Sequence, residues 1–137
     1  MIGIALILVG IAGVVSIAFG IRYFLANEYM PYHAVVAGRA WSELEPGMQT
    51  VIRGLFKVAA AGFLSYGVSL LWLLIPLHGR AGWAPWALLS LTVITIAPTL
   101  YVTVWLRSRA PAARTPIAPA TAVLTFGVVA ALLCALA

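Results

Sequence analysis

All three carboxylates of the chain, Glu28, Glu43 and Glu45, fall within residues 27–57, together with His33, Arg39, Gln49, Arg53 and Lys57. No other stretch combines acids, a histidine and cations, so a ligand, substrate or partner read by charge is expected here. Carboxylates at a low-dielectric boundary can gain proton affinity and act as general acids or bases on a lipophilic substrate. Arginine and lysine beside a membrane interface can instead hold a phospholipid headgroup or another anionic amphiphile. Arg39, Arg53 and Lys57 are then the anion contacts, with the three glutamates orienting them. Each group also has a plainer use, as a salt-bridge partner or a topology-setting charge. A metal would need convergent ligands at a recognised spacing, and one histidine with scattered acids does not supply it. Phosphate-binding glycine loops and a nucleophile elbow are absent, so no cofactor and no metal is expected.

The elements that must position these residues are set by composition. Of 137 residues, 64% are hydrophobic and only 8% charged, against about a quarter charged in soluble domains; mean hydropathy is +1.11. Several apolar runs approach the roughly 20 residues that cross a bilayer as a helix. In hydrocarbon every backbone amide must be satisfied within its own segment, and the alternating strands of a barrel are missing. The reading is an all-α chain: an integral membrane four-helix bundle, residues 1–137 as one transmembrane domain, with spans at about 1–26, 48–77, 83–106 and 116–137. A short interfacial helix at about 31–44 separates the first and second spans.

The first span lacks the basic start of a leader peptide and is expected to be retained. Gly10, Gly13, Ser16 and Gly20 form a strip of small side chains suited to close helix packing. Pro31 disfavours helix at Met30 and is a good first residue for the next helix. From there an amphipathic pattern predicts a helix lying in the interface plane or tucked under the bundle, with Arg39 and Glu43 paired one turn apart. Gln49, Arg53 and Lys57 make a polar stripe on the opening turns of the second span, which carries Ala60 and Gly67 on the same side and Gly62, Ser65 and Ser69 on a neighbouring one. The third span opens with Trp83 and Trp86, as an aromatic belt would. Pro98 frees the carbonyl of Ile94 and predicts a kink, with Thr95 or Thr99 as hydroxyl donors. Thr92, Thr95, Thr99 and Thr103 line a face expected to look inward. Cys134 has no partner cysteine.

Four spans put both chain ends on one side with Arg80 and the other loops, rich in arginine, on the opposite side. The positive-inside rule then places residues 31–44 and 107–114 in the cytoplasm and the termini outside, in a bacterial inner membrane. Partners are membrane lipids, with a membrane protein or second copy as the other class. The cations are scattered among loops without stacking aromatics, which argues against nucleic acid. Mid-span polar groups are only hydroxyls, so a proton-coupled exporter with an embedded glutamate is disfavoured.

The run YMPYHAVVAGRAWSELEPGMQTVIRGLFKVAAAGFL, followed by APTLYVT, resembles a family of small four-span bacterial membrane proteins without an assigned activity. The resemblance covers most of the chain and implies the four-helix architecture. Arg39-Ala40 with Glu43 and Glu45 before Pro46 is similar to a signature of the membrane-associated eicosanoid and glutathione metabolism family, also four-helical, which implies a small membrane enzyme with glutathione at its cytoplasmic side. That family's asparagine is absent and its spacing differs. Gly20-Ile21-Arg22-Tyr23 is similar to the opening of fluoride channels, whose later asparagine and paired phenylalanines are missing. The leading expectation is a non-enzymatic binding or accessory subunit that recognises a lipid or anionic amphiphile. A glutathione-transferase-like enzyme and a small-solute transporter are the alternatives.

Overall fold

Hydrocarbon offers the backbone no partner but itself, and this chain folds as helices throughout. In the computed structural model, which describes residues 1–137, α1 spans Ile2–Leu25, α2 Pro31–Ala37, α3 Pro46–His78, α4 Ala84–Arg109 and α5 Ile117–Ala135, with a single 3₁₀ turn at Trp41–Glu43. α1, α3, α4 and α5 are each long and apolar enough to cross a membrane, which makes the chain an integral, multi-pass membrane protein. α1 packs chiefly on α3 and α5, α4 on α5, and α3 meets α4 over a thinner contact. The four spans therefore close a ring in chain order.

Small side chains set the closeness of that ring. Ala5, Ala12, Ala60, Ala84 and Ala130 are fully buried, and a Cβ placed on Gly67 would lie 2.7 Å from the carbonyl oxygen of Gly13. A Cβ on Gly20 would come 2.6 Å from the Leu64 side chain. Backbone-to-backbone approach of this kind replaces the hydrophobic drive that lipid cannot provide between helices. Gly13, Ser16 and Gly20 thus form the packed strip, whereas Gly10 and Gly62 meet nothing. Ser65, beside Gly62, is exposed. The outward faces are greasy: Val58, Trp72, Ile94 and Tyr101 are each about 70% exposed, as suits contact with acyl chains.

The threonine face does look inward. Thr92 is wholly buried, its side chain fills the space left by Gly127, and it accepts a hydrogen bond from the Tyr66 hydroxyl at 3.1 Å. α4 continues as one helix across Pro98. The Thr99 hydroxyl donates to the carbonyl of Thr95 at 2.8 Å, one residue beyond the Ile94 carbonyl that the proline frees.

Two expectations for the interfacial stretch change. The helix expected over 31–44 stops at Ala37, because Gly38 turns into the left-handed region at φ 64°, where glycine carries no steric penalty. Residues 41–43 then form a separate 3₁₀ turn. That break removes the helical register an Arg39–Glu43 pair requires. Glu43 instead accepts from the Ala40 amide at 3.0 Å, while Arg39 is exposed and its side chain forms no hydrogen bond. α3 also starts earlier than expected, with Pro46 in its first turn. At a rise of 1.5 Å per residue its 33 residues reach about 50 Å, well beyond a hydrocarbon core of about 30 Å. The surplus lies at the charged end.

Candidate functional site

The surplus turns of α3 carry the polar stripe, and it faces the end of α1. A helix leaves its last carbonyls without intrahelical donors, and here α3 supplies cations to that end. Lys57 donates through Nζ to the Phe24 carbonyl and lies 4.5 Å from the Phe24 ring centroid. Arg53 donates through Nε to the Asn27 carbonyl at 2.8 Å, with its guanidinium 5.4 Å from the centre of the Trp41 ring. Gln49 Nε2 donates to the carbonyls of Trp41 and Leu44 at 3.0 and 3.2 Å, holding the 3₁₀ turn.

His33 belongs to the same fastening. Its Nδ1 accepts from the Met30 amide at 3.2 Å, capping α2, and its ring stacks on Phe56 of α3 at 5.4 Å. Burial pushes its pKa below the usual histidine value, so the ring that accepts this bond is neutral. Tyr29 packs edge-on against Trp41 at 5.1 Å and donates to the Arg39 carbonyl. Of the eight residues singled out from the sequence, His33, Glu43, Gln49, Arg53 and Lys57 thus fasten the first loop. Glu28, Arg39 and Glu45 are exposed and have no side-chain hydrogen bond. No group of three or more His, Cys, Asp or Glu side chains converges as a metal site.

The cavity lies on the other flank of this stretch. A cleft of about 720 Å³ opens between the C-terminal half of α1, α2 and the loop joining α4 to α5. Phe19, Tyr23, Met30, Pro31, Tyr32 and Val35 make its wall, and Arg22 and Arg114 supply its charge. Neither arginine forms a side-chain hydrogen bond or an ion pair, and no acid lines the cleft. The Tyr23 and Tyr32 hydroxyls bond to each other, tying α2 to α1. Burial first, and the bond to Tyr23 second, push the Tyr32 pKa up, with Arg22 pulling the other way. Tyr32 therefore stays a neutral phenol beside the guanidinium.

None of the eight residues singled out from the sequence lines this cleft, and Arg22 and Arg114, which do, are not among them. The usable signal was topological: an even number of spans brings residues 107–114 to the same end as Arg22. A second, smaller space of about 60 Å³ lies deeper in the bundle, among Val15, Ser16, Ile96, Thr99, Thr103 and Val123. Phe19, Tyr23 and Pro116 border both spaces. Toward the opposite end the bundle is filled by Ala5, Val9, Leu70, Leu73, Leu77 and Leu88.

Chemically, the cleft is a concave apolar surface with two free cations, of the size that takes small ligands. Comparison with family models, with characterised proteins and with solved structures finds no match for this chain.

Proposed function

We propose that this membrane protein is a non-enzymatic binding or accessory subunit that recognises an anionic amphiphile at its basic end, with that end facing the cytoplasm of a bacterial cell. One observation carries the reading: the 720 Å³ cleft couples an apolar wall to Arg22 and Arg114 with no carboxylate among its lining residues. Guanidinium groups without an acidic partner favour an anion, and the apolar wall favours a hydrocarbon attached to it. The cations first suspected, Arg53 and Lys57, have a structural use on the carbonyls of Asn27 and Phe24, which moves the proposed headgroup contact to Arg22 and Arg114. Acid–base chemistry by Glu28, Glu43 or Glu45 gains no support, since all three are exposed and stand outside the cleft.

The test is native mass spectrometry of the protein purified with its retained lipids. Anionic lipid is expected on the wild-type chain, lost in Arg22→Ala/Arg114→Ala and kept in Arg53→Ala. Equal retention in the double variant would remove the reading.

A further inference from the structure

The two spaces share a border, and their shapes and charges together say more about the ligand than the cleft alone. Resting on the reading above, we infer that the ligand is a single-chain phosphate monoester lipid, its headgroup between Arg22 and Arg114 and its chain end passing Phe19 and Tyr23 into the inner space of the bundle.

The headgroup follows from charge. Two cations without acidic partners line the cleft, and a phosphate monoester at pH 7 carries about −1.5 to −2. A carboxylate or a phosphodiester carries only one negative charge and leaves one guanidinium unmatched. Hydrogen bonding points the same way. In the Tyr23–Tyr32 pair one hydroxyl proton lies between the oxygens, so the other is free to be given to an acceptor. A phosphate brings several strong acceptor oxygens to a cleft whose wall holds this unspent donor.

The chain follows from the void. Phe19, Tyr23 and Pro116 border both spaces, so they form a neck between them, and the inner space has room for one narrow segment. The inner space is lined chiefly by apolar side chains, and its 60 Å³ takes part of one hydrocarbon chain. At about 60 Å³ the inner space has no room for a second chain.

The experiment uses the full chain in nanodiscs of zwitterionic lipid, with lysophosphatidate, a fatty acid and lysophosphatidylglycerol as competing probes. Lysophosphatidate is expected to bind at least tenfold more tightly than the other two. Ala120→Leu and Val15→Leu, which project into the inner space, are each expected to weaken it about tenfold. Lysophosphatidate carrying a diazirine at its chain end is expected to label Ile96 or Val123 on the unmodified protein. Equal affinity for the three headgroups, or a label confined to outward-facing residues such as Val14 and Ile21, would overturn the inference. In both of those outcomes binding that still depends on Arg22 and Arg114 keeps the broader reading, whereas no probe binding in an arginine-dependent way ends both.

Discussion

Arg53, near the start of α3, donates through Nε to the main-chain carbonyl of Asn27 at 2.8 Å, so a residue of the second span closes the backbone of the turn that follows the first. Lys57 does the same one turn later for Phe24. The pair is a C-terminal cap provided from another helix, and it explains how a run of charge can sit at the end of an oily bundle without carboxylate partners.

Removing these caps should loosen the first loop more than the bundle. Hydrogen bonds from charged donors contribute up to a few kcal/mol when buried, and exposure reduces that; each of Arg53→Ala and Lys57→Ala is expected to cost about 1 kcal/mol. Hydrogen exchange across residues 24–37 is the measurement. Faster exchange there, with α4 and α5 unchanged, is the expected result, and unaltered protection would show that the caps do not hold the loop.

The α1–α3 contact gives a sharper test, because two glycines of one helix differ in surroundings. A Cβ on Gly67 would meet the Gly13 carbonyl at 2.7 Å and the Ile17 amide nitrogen at 3.0 Å, whereas one on Gly62 would meet nothing. Backbone cannot move aside as a side-chain tip can, so Gly67→Ala is expected to destabilise the bundle by about 1–3 kcal/mol. Gly62→Ala should be neutral or gain a few tenths of a kcal/mol through helix propensity. Unfolding of both variants in mixed detergent micelles separates them; equal stability would mean that the helices are not held at this distance.

These examples show which features the sequence could disclose. The four spans were legible because hydrocarbon imposes a coarse requirement, length and apolarity, that local composition meets by itself. The inward threonine face and the Gly13–Ser16–Gly20 strip were legible from helical periodicity. What periodicity lacks is a partner: Gly10 and Gly62 have the same spacing logic as their neighbours but face nothing. The interfacial helix was over-extended because amphipathic spacing continues past Gly38, while the chain there takes a left-handed turn. The cleft was the hardest feature to foresee. Arg22 and Arg114 stand far apart in the chain and line one cleft only because the ring of helices places α5 beside α1.

His33 predicts a pH dependence. Burial lowers its folded pKa below the ordinary value of about 6.5. Stability from this group is therefore complete above pH 6.5, and is lost progressively as pH falls from there through the lower folded value, since the unfolded or undocked ring takes the proton first. A protonated ring also cannot accept from the Met30 amide. The α2 amides should thus exchange faster as pH drops below about 6.5, after correction for the intrinsic rate, and His33→Asn should remove most of that dependence. His78, exposed at the opposite end of the bundle, is the control: His78→Asn should leave it intact.

Arg22 and Arg114 line one cleft, which fixes both longer loops at the same end. That end holds Arg22, Arg39, Arg53, Lys57, Arg107, Arg109 and Arg114, leaving only Arg80 of the eight basic side chains at the other. Cations in short loops are retained on the cytoplasmic side, with acids counting for little, so the three glutamates do not offset them. Reporters inserted at Gly38 and Ala112 are expected to read cytoplasmic, and one at Gly82 external. The opposite pattern would turn the cleft away from the anionic lipids of the cytoplasmic leaflet and withdraw the setting in which Arg22 and Arg114 are proposed to work. Replacing Arg107, Arg109 and Arg114 by alanine while adding lysines beside Arg80 should produce mixed orientations. Arg53→Ala and Lys57→Ala added to that background should increase the inverted fraction, because those two cations serve the orientation even while they cap α1.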